Sequence, residues 1–200
     1  MNISRVSIVC CLSTVMLLSG ACSGLNQSSK PAISKWWLEP YVATSPLVSA
    51  DQPVSVALSI TVVPGLDTDR ILTLSDDAEL GQFASARWAD HLPELLKSLI
   101  ERSLQGTGRF ETVPESAASR PGNCLLELEF REFFADIGAD GRTSDVRIAT
   151  HGSFSCGSGR PFVFQSNVTK VVADDRMNVI VAAFQQAMDQ LTQEIISKIN

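Results

Sequence analysis

Five cysteines and two histidines are the side chains of this 200-residue chain best suited to nucleophilic, redox or metal chemistry. Neither His91 nor His151 has a second histidine or a cysteine at metal-ligand spacing. Asp67-Thr68-Asp69 and Asp76-Asp77 place carboxylates close together, but they lack the spacing and the glycine of a calcium loop, and turn-forming aspartates are the simpler reading. Ser153 and Ser155 stand outside any Gly-x-Ser-x-Gly elbow, and Gly157-Ser158-Gly159-Arg160-Pro161 precedes a strand rather than a phosphate-cradling helix. The residues therefore describe a non-catalytic protein without metal or cofactor. Lys and Arg number 16 against 22 Asp and Glu, with no basic run, which argues against a nucleic-acid partner.

The cysteines carry the chemistry that remains. Met1 to Arg5 holds one positive charge, and Val6 to Ser19 is an uncharged, mostly apolar stretch, shorter than the ~20 residues of a membrane span but suited to a secretory signal. It ends in Leu18-Ser19-Gly20-Ala21-Cys22. Small residues directly before a cysteine resemble the lipobox of bacterial lipoproteins, which implies a diacylglyceryl group on the Cys22 sulfur and cleavage before it. An ordinary signal peptide ending near a cysteine is the alternative. Residues 1–21 then form the signal peptide, and 22–34 an acylated cysteine followed by a small, polar, flexible tether. Ser23 in place of Asp resembles the sorting signal for the outer membrane, facing the periplasm.

Cys124 and Cys156 are left in an oxidising compartment. Apolar residues fall on even positions from Cys124 to Phe130 and from Val146 to Cys156, with the turn signal Ala139-Asp140-Gly141 between. An antiparallel hairpin centred on Asp140 sets Cys124 opposite Cys156, Leu126 opposite Phe154 and Phe130 opposite Thr150, within disulfide range for the cysteines. Two buried free thiols are the alternative.

The elements around these residues predict one α/β (α+β) domain over residues 35–200, a mostly antiparallel sheet with two helices on one face. Pro53 to Val63 alternates as a half-buried strand, Ile71–Leu74, Gln82–Trp88 and Phe110–Val113 are shorter strands, and Phe162–Val172 follows the hairpin. Leu92, Leu95, Leu96, Leu99, Ile100, Ser103 and Leu104 recur at helical spacing behind Pro93. Asp174 or Asp175 caps a long last helix with the stripe Met177, Ile180, Val181, Phe184, Met188, Leu191, Ile195 and Ile199, read as core, with a lipid or partner groove as the alternative.

Two blocks carry a family resemblance. Asp67-Thr68-Asp69-Arg70-Ile71 and Arg87-Trp88-Ala89-Asp90-His91-Leu92-Pro93, followed by Gly108-Arg109-Phe110 and preceded by the aromatic pair Trp36-Trp37, resemble the ABC-type transport auxiliary lipoproteins. His91 departs from the pattern, where proline is the commoner residue. The resemblance covers nearly all of the chain beyond the tether. It implies a periplasmic partner of an ABC permease, its ATPase and an MCE-domain protein, in a system moving phospholipid or other hydrophobic molecules between the two membranes. Such a protein docks the assembly to the outer membrane or relays its cargo, and a homo-oligomer is compatible with that role. Arg87 and Trp88 are the candidate docking corner, with burial of Trp88 at the strand–helix junction as the alternative. Trp36 and Trp37 are placed either in the headgroup zone or in a first strand. A structural envelope lipoprotein that binds peptidoglycan or assembly factors is the competing function.

Overall fold

The computed structural model describes residues 32–43 and 52–199. The expected signal peptide, Cys22 and the expected tether up to residue 31 lie outside the described residues. The body begins at Ile33, and Ser34, placed by sequence at the end of the tether, is already in a strand.

Among the described residues there are eight strands and two helices: β1 (Ser34–Trp36), β2 (Val54–Val62), β3 (Arg70–Ser75), β4 (Leu80–Trp88), α1 (Leu92–Gly106), β5 (Phe110–Val113), β6 (Cys124–Ile137), β7 (Thr143–Cys156), β8 (Phe162–Val171) and α2 (Met177–Lys198). A single 3₁₀ turn, Glu115–Ala117, interrupts the loop before β6. The class is mixed α+β in one domain.

Strand β6 organises the sheet. One edge pairs along its length with β7, which pairs with β8, both antiparallel. The other edge is shared: β2 runs parallel to Cys124–Phe130 and β3 parallel to Ala135–Ile137. Beyond β2 lies β5, parallel, and beyond β3 come β4, antiparallel, and β1, parallel to β4. The antiparallel ladders are those joined by tight turns. The parallel ones need longer connections, and α1 lies on the path that returns the chain to β5 beside β2.

The hairpin register pairs Leu126 with Phe154 and Phe130 with Thr150, then shifts so that Glu132 faces Ala149. This bulge at Arg131 changes the parity of the strand. Phe130 and Phe133 are an odd number of residues apart and would otherwise point to opposite faces; instead their rings meet at 6.4 Å. Phe133 stacks on Phe184 of α2 at 5.0 Å, and Trp88 stands edge-on to both, 5.8 and 5.2 Å away.

Helix α1 buries its leucine stripe against β2 and β5, α2 packs on β7 and β8, and the helices touch each other. Phe184, Met188, Leu191 and Ile195 are fully buried, so the α2 stripe is filled by the protein's own core. The helix begins after Arg176, with no side-chain cap from either aspartate. The Asp175 carboxylate is committed elsewhere, accepting from the Thr143 hydroxyl at 2.6 Å and the Thr143 N–H at 3.0 Å at the start of the neighbouring strand β7. Asp174 accepts from the Arg176 N–H at 3.0 Å.

Candidate functional site

The two sequence blocks, separated along the chain by β3 and β4, meet at one corner. The Trp88 N–H donates to the Asp69 carbonyl at 2.7 Å, and the Leu92 N–H, opening α1, donates to the Thr68 carbonyl at 3.1 Å. His91 Nδ1 lies 3.4 Å from Asp67 Oδ1 on the exposed side. Arg87 turns inward on its own strand: its Nη1 donates to the carbonyls of Ala86 and Phe83 at 2.8 and 3.1 Å, and its Nε sits 3.9 Å from the Asp69 carboxylate. Trp88 is 1% exposed. Its ring is a core residue and presents no surface to a partner, and the mostly buried Arg87 braces the corner. Of the two readings given for the pair, Trp88 follows burial at the strand–helix junction, edge-on against two phenyl rings.

What the corner does is receive the first strand of the body. Ser34, Lys35 and Trp36 lie in register with Ala86, Arg87 and Trp88, and the Ala89 N–H donates to the Trp36 carbonyl at 2.8 Å. Past β1 the segment continues as a strap over both helices. Leu38 is fully buried. The Glu39 N–H donates to Gln185 Oε1 at 2.8 Å while Gln185 Nε2 donates back to the Glu39 carbonyl at 2.9 Å, a two-bond clamp from α2. The Tyr41 N–H donates to Ser103 Oγ at 3.0 Å, and that hydroxyl donates to the Leu99 carbonyl at 2.7 Å within α1. Trp36 is half-buried, whereas Trp37 is 45% exposed with the Arg102 guanidinium 5.3 Å above its ring. The chain emerging from residue 32 is thus fastened to a strand and two helices within eight residues.

Sequence reasoning did not single out Gln185 or grasp the role of Ser103. The available signal was Ser103 on the leucine stripe of α1: a hydroxyl at a core position needs a partner, and here it serves a backbone amide from the strap.

The remaining candidates lie apart from this corner. Cys124 and Cys156 are opposite each other in the β6–β7 register, joined Sγ to Sγ. His151 and Ser153 line a shallow recess of about 330 Å³ with Ser59, Thr61, Glu127 and Glu129. The Ser153 hydroxyl donates to the Glu127 carboxylate at 2.8 Å. Among the described residues no group of three His, Cys, Asp or Glu side chains is disposed to hold a metal, and no helix is long and apolar enough to cross a membrane.

The model of the ABC-type transport auxiliary lipoprotein component family matches residues 38–196, and the chain belongs to that family. The match takes in the strap from Leu38, the corner and both helices. The fold is similar to the crystal structure of a Xanthomonas campestris protein of family model DUF330, with TM-score 0.68 at 19% identity over 82% of this chain and 92% of that one. It is equally close to an uncharacterized protein of known crystal structure, with TM-score 0.67 at 14% identity over 84% and 99% of the two chains. No curated protein matches the chain.

Proposed function

We propose that this family member is a non-catalytic lipoprotein, acylated at Cys22 after removal of residues 1–21. It is held at the periplasmic side of the outer membrane and serves an ABC permease, its ATPase and an MCE-domain protein that move phospholipid or another hydrophobic compound between the membranes. The observation that carries this reading is the strap. A segment leaving a membrane anchor must transmit force to the body, and residues 34–41 are bound by a ladder, a buried leucine and side chains from both helices. An acyl-bearing chain two or three fatty groups strong stays in the bilayer, so the body remains within tether length of the surface. The body offers docking rather than chemistry: Trp88, Phe130, Phe133 and Phe184 are spent on the core, and the recess carboxylates of Glu127 and Glu129 on the Ser153 hydroxyl and the Arg131 guanidinium.

The test is affinity purification of the tagged, full-length protein from solubilised envelopes. Recovery of the MCE-domain protein with its permease and ATPase is the expected result. Recovery of peptidoglycan fragments in their place assigns the protein to envelope structure and overturns the transport role.

A further inference from the structure

Eight large apolar side chains are exposed among the described residues, and three of them, Ile33, Trp37 and Val42, fall within ten residues of the point where the body begins. They are 57%, 45% and 82% exposed. Elsewhere on the strap apolar groups are hidden: Leu38 is fully buried and Trp36 half-buried. The strap therefore divides its apolar residues between the core and the outside.

Trp37 is the informative member. Its ring is held under the guanidinium of Arg102, whose Nε donates to the Ser98 carbonyl at 3.1 Å, so ring and cation sit as a fixed pair on α1. The guanidinium nitrogens beyond Nε make no hydrogen bond to the protein among the described residues. An indole with an apolar body and an N–H tip, beside a cation with free donors, is the chemistry of the bilayer interface: the ring lies among glycerol and upper acyl groups while the guanidinium meets phosphate. Lys35, exposed one residue before Trp36, adds a second cation on the same segment.

Chain length selects the occupant. Whatever its conformation, the segment from Cys22 to Ile33 spans at most about 40 Å, so a fatty group on Cys22 keeps the strap within that distance of a bilayer. From these observations we infer that the strap face bearing Trp37 and Arg102 seats on the phospholipid surface, a second contact that orients the body against the membrane instead of leaving it hanging from its anchor. The inference rests on the acylation of Cys22, because a lone aromatic contact is too weak to hold the protein by itself.

The experiment uses the full lipidated chain in vesicles of phosphatidylethanolamine and phosphatidylglycerol whose acyl chains carry bromine, which quenches tryptophan emission on contact. Mass spectrometry of the N-terminal peptide is run on the same sample. Seating predicts strong quenching in the wild type, loss of most of it in Trp37→Ala, and partial loss in Arg102→Gln, with melting temperatures measured on the same samples to show that each variant is folded. A lipidated wild type quenched no more than Trp37→Ala overturns the seating and leaves the anchor intact. An unlipidated chain overturns the anchor and the seating with it. Shielding of Trp37 from acrylamide that grows with protein concentration in the absence of lipid assigns the face to a second copy, and the seating is again overturned.

Discussion

The backbone N–H of Trp88 donates to the carbonyl of Asp69 across 2.7 Å. That bond explains why two blocks far apart in the sequence belong together. Asp69 lies just before β3 and Trp88 ends β4, so joining them closes the β3–β4 unit just where α1 starts. The same end of β4 then takes β1 as its neighbour, and the strap inherits its position from the corner.

The first prediction concerns the ring at that corner. Trp88 packs edge-on against Phe133 and Phe184, and all three are buried. Trp88→Ala leaves a cavity none of its neighbours can close and costs about 3–5 kcal/mol. Urea unfolding should show the loss as a lowered midpoint. A midpoint within error of the wild type contradicts the packing described here.

Much of this architecture is legible in the sequence, and the gaps have physical causes. Alternation and the Asp140-Gly141 turn set the hairpin register from Cys124 to Phe130, because a half-buried ladder with period two tolerates no slip. The bulge at Arg131 is invisible locally. It exists to bring Phe133 to the face where α2 delivers Phe184, a demand from residues some fifty positions away. The parallel pairing of β2 with β5 and β6 is likewise a product of how the crossovers return, which strand composition does not encode. Asp175 reads as a helix cap by position, but Thr143 at the start of β7 offers it both a hydroxyl and an amide, and two hydrogen bonds to the neighbouring strand win over one local bond. At the corner, the sequence names the right blocks but leaves the Arg87–Trp88 pair open between docking and burial, since an Arg–Trp dipeptide looks the same on a surface and in a core.

Gly152 is required by a neighbour. Phe164 lies over it on β8, and a Cβ there would come within 2.3 Å of the phenyl ring. Gly152→Ala should therefore destabilise the protein by about 1–3 kcal/mol. Because the clash is with one side chain, the Gly152→Ala and Phe164→Ala losses should be less than additive in a double-mutant cycle. Strict additivity would mean that the ring does not cover the glycine.

The Cys124–Cys156 link closes a loop with a sequence separation of 32 residues, worth about 3–4 kcal/mol on the chain-entropy account. Cys124→Ser should lower the melting temperature by roughly 10 °C for a domain of this size and leave membrane association unchanged. Free thiols in the protein taken directly from the envelope would show that the link does not form there.

Asp175 gives a pH signature. Hydrogen bonds from Thr143, hydroxyl first and then amide, hold its carboxyl below the ordinary value of 3.8. A folded-state pKa below the unfolded one means that the carboxylate's contribution is complete above the unfolded value and is lost as pH falls through the folded one. The stability gap between wild type and Asp175→Asn, measured by urea unfolding, should be small and constant near neutrality and should shrink below about pH 4. A gap that widens on acidification would reverse the sign and refute the assignment.

The proposed tie between the folded body and the outer membrane is a fatty group on Cys22. It is tested most directly by separating inner and outer membranes on a sucrose gradient from cells fed labelled palmitate, with wild type and Cys22→Ser side by side. The account predicts label on the wild type in the dense outer-membrane fractions, and an unlabelled Cys22→Ser protein released to the soluble fraction. A wild type that carries no label, or a Cys22→Ser protein that stays with the membranes, would contradict it.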